Sequence, residues 1–166
     1  MHPEAARLID ALGLEPHPEG GYYRETWRSP LTAQLAGGPG EPARARSFGT
    51  AIYYLLAGRE VSRLHRLKTD EIFHLYAGGP LVIHVLTEGE GYRNIRLGRD
   101  LDAGHTFQAT VPGGGWFGAS LADEDSFALV GCTLAPGFDF ADFEMGGRAE
   151  MLAAFPDHED IIRLLT

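Results

Sequence analysis

Residues Ser62–Gly79 read SRLHRLKTDEIFHLYAGG. The stretch gathers Arg63, His65, Arg66, Lys68, Asp70, Glu71 and His74 between two apolar runs and then breaks on a glycine pair. Within it Glu71, Phe73 and Leu75 alternate with Ile72, His74 and Tyr76. That is the period of a β-strand, so Glu71 shares a face with Phe73 while His74 points the other way. A polar cluster inside strand sequence marks a candidate site.

Outward from this stretch the same pattern repeats. Phe48–Leu56, Val61–Leu67, Glu71–Tyr76, Leu81–Thr87, Tyr92–Leu97, Thr106–Val111, Gly115–Ser120 and Ser126–Leu134 read as short strands, separated by turn chemistry such as AGRE, AGGP, EGEG and ADED. So many short strands without interleaved helices predict an all-β jelly roll with a mouth between its sheets, where a small ligand would sit. Upstream, His2–Gly13 reads as a helix: Pro3 suits its first turn, Ala5, Leu8, Ile9 and Leu12 form one stripe, and Gly13 stops it. YYRETWRS, from Tyr22, suits a strand, and Leu31–Pro42, with its GGPGEP run, reads as a surface loop. Downstream, Arg148–Phe155 and Glu159–Leu165 read as helices that pack outside the barrel. The 166 residues are thus expected to form one domain: a helix and arm over 1–46, the jelly-roll core over 47–145 and C-terminal helices over 146–166.

A net charge of −9 argues against a nucleic-acid partner, because such binding is driven by Lys and Arg neutralising phosphates. Cys132 is the one cysteine, so no internal disulfide forms, and its setting in ALVGCTL reads as a buried strand. Neither a secretory signal nor a run of membrane-spanning length stands out, so no membrane partner is expected and the cytoplasm is the default location.

Gly58, His65, Glu71 and Gly78 are spaced much like the first cupin motif, and GHTFQATVPGGGWF, Gly104–Phe117, like the second. HPEGGYYRETWRS from His17, IYYLL from Ile52, HRLKTDEIFHLYAGG from His65 and LAPGFDFADFEM from Leu134 together resemble the poorly characterised fifth cupin family. The resemblance implies a cupin barrel, a homodimer in which an N-terminal strand is shared, and His65 and Glu71 as two ligands of a divalent transition metal. Arg63 stands where a further first-motif His would be, and Phe117 replaces the second-motif His, so two of four ligands are missing. His84 or His105 would complete a set only if the barrel brought it round.

Without a metal, Arg63 and His65 beside Glu71 resemble the deoxysugar epimerase branch of the cupins. By that resemblance His65 acts as base and Arg63 holds an anionic or sugar-like substrate; Glu71, orienting it, is the second catalytic candidate and Lys68 a further substrate-binding one. A buried Arg63–Glu71 ion pair joining two strands is the structural alternative. Trp116 is either an aromatic wall of the pocket or a core plug. His74 and His84 are further substrate-binding candidates, each also readable as a satisfied structural histidine. Glu19 and Tyr23, in the stiff HPEGGYYRE segment with His17, are binding residues or part of an interface. Three functions therefore stand open: an isomerase or epimerase, a metal-dependent oxygenase or lyase, and a protein that binds a small molecule without turnover.

Overall fold

The computed structural model describes residues 1–36 and 43–166. In chain order its elements are α1 (Pro3–Leu12), β1 (Glu15–Pro16), β2 (Tyr22–Arg28), β3 (Thr32–Leu35), β4 (Arg44–Ser47), β5 (Thr50–Ala57), β6 (Val61–Leu67) and β7 (Glu71–Gly78). There follow β8 (Leu81–Thr87), β9 (Gly91–Leu97), β10 (Gln108–Val111), β11 (Trp116–Leu121), β12 (Phe127–Leu134), β13 (Phe143–Met145), α2 (Arg148–Ala154) and α3 (Glu159–Leu165). Two antiparallel sheets face each other as in a cupin jelly roll. One has the order β1-β2-β5-β12-β7-β10 and the other β13-β6-β11-β8-β9.

Alternation along the strands divides inside from outside. Tyr54, Leu56, Phe73, Ile83, Val85, Val130 and Cys132 point between the sheets and form the main core. Leu55, Ala57 and Leu129 point the other way, where the apolar stripe of α1 covers them. On the second sheet, Leu64, Leu86 and Trp116 face outward and are covered by Met151, Phe155, Ile162 and Leu165 of the C-terminal segment. As its sequence suggests, α1 ends at Gly13 in the left-handed conformation, whose N–H bonds back to Asp10 and Ile9. No helix among the described residues is long and apolar enough to cross a membrane.

Two features differ from the sequence reading. Thr32–Leu35, expected in a loop, pairs with Arg44–Ser47 in a separate two-stranded ribbon. Residues 37–42 of that expected loop lie outside the described residues. Strand β6 is irregular as well: Phe117 opposes His65 and Ala119 opposes Ser62, so β6 spends three steps where β11 spends two. The extra residue is a β-bulge, and it reverses the facing of the strand's first residues.

Candidate functional site: the barrel cavity

At one end of the barrel the sheets enclose a cavity of about 340 Å³. Its walls follow from strand parity: Ile52 and Tyr54 from β5, His65 and Leu67 from β6, Glu71 and Phe73 from β7, Cys132 and Leu134 from β12. The arm adds His17 and Glu19 from the loop before β2, and Tyr23, Glu25 and Arg28 from β2 itself. Phe138 to Phe143 close it from the front. That closing segment is tied down by Arg46, whose guanidinium makes paired bonds of 2.7 and 3.0 Å to Asp142. The Arg46 side chain beside Asp142 holds this carboxyl below its usual range.

Glu19 organises the polar end. One carboxylate oxygen accepts from the Ser62 hydroxyl at 2.9 Å, and the other lies 3.3 Å from His65 Nε2 and 3.6 Å from His17 Nδ1. The bulge makes this possible: it turns Ser62 inward beside His65 and extrudes Arg63. His65 Nδ1 is 2.7 Å from the Arg63 carbonyl, which can only accept, so Nδ1 carries hydrogen and Nε2 faces Glu19. His17 has the opposite arrangement, its Nδ1 accepting the Glu19 backbone N–H at 3.3 Å. Burial lowers the His17 pKa, against the attraction of Glu19. The Tyr54 hydroxyl donates to the Gly20 carbonyl at 2.7 Å, and burial, reinforced by Glu19, keeps it protonated.

Glu71 lies deepest. Burial, and secondly the charge of Glu19, push its pKa up to about 8, while the Cys132 thiol bonding to it pulls slightly the other way. At neutral pH it is therefore a carboxylic acid, able to donate a proton. The cavity thus holds an acid that keeps its proton and an imidazole whose Nε2 faces the Glu19 carboxylate.

Of the residues singled out in the sequence, the structure brings His65, Glu71, Glu19 and Tyr23 together. It places five others elsewhere. Arg63 is exposed and donates to the Pro18 carbonyl, so no Arg63–Glu71 pair forms. Lys68 lines a separate surface cleft beside Arg44 and Arg66. His74 is on the outer face of its sheet, next to Thr133 at 3.3 Å. His84 is buried beneath the outer helices between Tyr92 and Ser120, both at 2.9 Å. Trp116 packs in the same outer cluster with Arg66 over its ring, and is a core plug. Tyr54, Ser62 and Arg28 are site residues that the sequence reading missed. Tyr54 was signalled by sharing parity with Ile52, whereas Ser62 reaches the cavity only through the bulge.

The metal implied by resemblance does not fit this arrangement. Among the described residues no three His, Cys, Asp or Glu side chains are grouped to hold an ion. Phe117, at the position of a missing ligand, packs its ring 4.1 Å from that of His65, and Arg63, at the other, is turned out to the surface.

Comparison with known proteins gives a consistent family. The family model described as Cupin superfamily (DUF985) matches residues 6–146. The uncharacterized protein YML079W of Saccharomyces cerevisiae is 32% identical over 145 residues, covering 82% of this chain and 72% of that protein. A hypothetical protein from Leishmania major superposes with a TM-score of 0.89 at 35% identity, covering 100% of this chain and 99% of that one. Protein SO0799 from Shewanella oneidensis gives 0.87 at 38% identity, over 98% and 96% of the two chains.

Proposed function

Because the chain belongs to the DUF985 family of the cupin superfamily, we propose that its barrel cavity binds a small molecule and moves a proton on it, as an isomerase or epimerase does. The observation that carries this reading is the pairing of Glu71, held protonated to about pH 8, with the His65 imidazole and its Glu19 partner in one aromatic-walled cavity. A carboxylic acid that keeps its proton beside an imidazole is a pairing able to act as acid and base.

In this reading His65 Nε2 removes a proton from a carbon next to a carbonyl. The electron pair moves onto the carbonyl oxygen, which Glu71 protonates or hydrogen-bonds. Return of the proton to the other face, with Glu71 taking its proton back from the enol oxygen, completes an epimerisation; return to the neighbouring carbon, with the adjacent hydroxyl giving its proton to Glu71 as it becomes the carbonyl, completes an isomerisation. Glu19, 3.3 Å from Nε2, stabilises the imidazolium that forms once that nitrogen has taken the proton, and the Arg63 carbonyl holds the ring at Nδ1. The expected anion-holding role of Arg63 has no support in its placement, so a sugar-like or otherwise uncharged substrate fits better than an anion.

The test is deuterium incorporation in D₂O, followed by proton NMR, across a panel of small hydroxy-aldehydes and hydroxy-ketones. Enzyme-dependent loss of the proton next to the carbonyl is expected, falling roughly 10²- to 10⁴-fold in His65→Ala and in Glu71→Ala. Exchange that persists unchanged in His65→Ala would show that this residue is not the base.

A further inference from the structure

The cavity wall also carries a charge pattern. Arg28 is the one guanidinium among its described residues, and it is clamped at the mouth: Nε and Nη2 bond Glu25 at 2.9 and 2.7 Å, and Nη1 bonds the Phe138 carbonyl at 3.0 Å. Asp139, on the rim, is 3.7 Å from Arg46, a residue already committed to Asp142. Glu19, deeper in, faces only imidazoles and the Ser62 hydroxyl. Three carboxylates against one guanidinium leave the wall net negative. A proton on His65 lessens that excess without reversing it, and ionising Glu71 would only add to it. A bound anion would meet the Glu19 carboxylate inside a cavity, where repulsion is screened less than in bulk water.

The hydrogen-bonding edges are just as definite. His17 accepts at Nδ1 from the Glu19 N–H, so its own hydrogen is on Nε2. His65 donates at Nδ1, so in the neutral ring its lone pair is on Nε2. Tyr54 spends its O–H on the Gly20 carbonyl and offers only an acceptor. His65 turns Nε2 to the Glu19 carboxylate, so the polar end offers a donor from His17 beside an acceptor from Glu19. The surrounding walls are aromatic, from Tyr23, Phe73, Phe138 and Phe143. A volume of about 340 Å³ admits a single substituted ring.

We propose that the cavity takes an uncharged flat ring with an amide-type edge, a carbonyl beside an N–H, and rejects the carboxylate of the same shape. The carbonyl accepts from His17, the N–H donates towards the Glu19 carboxylate, and the ring lies among the aromatic walls. This rests on the reading of the barrel cavity as the ligand site and not on the proton transfer proposed there.

Benzamide, benzoate and benzamidine share one shape and differ in charge, so they separate the possibilities in the unaltered protein. Their dissociation constants would be measured by NMR titration. Benzamide is expected to saturate, with benzoate at least about tenfold weaker. Glu19→Gln, checked for an intact thermal transition, should narrow that gap by tightening benzoate. Benzoate binding as well as benzamide would overturn the proposal while leaving the cavity as a ligand site. Benzamidine binding tightest of the three would overturn the amide edge, because charge alone would then set the order. Absence of saturable binding by any of them, or binding unaffected by Phe143→Ala, would instead contradict the cavity reading on which the proposal stands.

Discussion

Glu71 and His84 are the two buried side chains whose titration should be most visible in the stability of the protein. Glu71 keeps its proton to about pH 8 when folded and releases it from an ordinary value of 4.5 when unfolded. Folding therefore loses stability as pH rises from about 4.5 to about 8, and no more above that. Glu71→Gln removes the slope: relative to wild type, the variant should gain on the order of a few kcal/mol across that window in urea titrations. A constant difference between the two proteins from pH 5 to pH 8, both roughly placed inside the window, would contradict it. His84 has the opposite sign, because burial lowers its pKa from 6.5 to about 4. Its contribution is complete above 6.5 and is lost as pH falls towards 4. His84→Asn should flatten the acid side of the stability profile, which an unchanged acid limb would refute.

At the scale of elements, the strands were legible and their irregularities were not. Val61–Leu67 and Leu81–Thr87 match the sequence reading residue for residue, because alternation and turn residues are local signals. The facing of Glu71 against His74 follows from the same period. The bulge in β6 depends on pairing with β11, some fifty positions away, and no local pattern marks it. That is why Arg63 was expected in the pocket and Ser62 was not. Gly20 shows how tightly the arm is fitted: its φ is +109°, and a Cβ there would come 2.2 Å from the Val61 carbonyl oxygen. Gly20→Ala should therefore cost about 2 kcal/mol or more and weaken benzamide binding, since it displaces Glu19. Gly89→Ala is the control, with φ +83° and nothing within 4 Å, and should cost only the backbone strain of about 1 kcal/mol. Equal melting temperatures for the two variants would show that the close approach at Gly20 does not constrain the arm.

For the whole molecule, the jelly roll and its outer helices were expected from pattern and resemblance together, and the cavity is where such a fold leaves a mouth. What the sequence did not reveal is how the N-terminal arm and the Phe138–Phe143 segment fold back to finish that mouth, since both meet strands distant in the chain. The larger sheet ends on the two-residue strand β1, beyond which no further strand pairs among the described residues. The proposed homodimer would join a second copy through this arm. Sedimentation velocity should give twice the mass of one chain, and a monomer at all concentrations would remove the dimer from the account. The central claim, however, is chemical: a protonated carboxylic acid and a histidine beside a carboxylate share one cavity. Its most direct measurement is the infrared difference spectrum of wild type minus Glu71→Gln at neutral pH in D₂O. The account predicts the carbonyl stretch of a protonated acid, giving way to carboxylate bands as pH passes about 8. Carboxylate bands already complete at neutral pH would show that Glu71 holds no proton to give, and would contradict the claim.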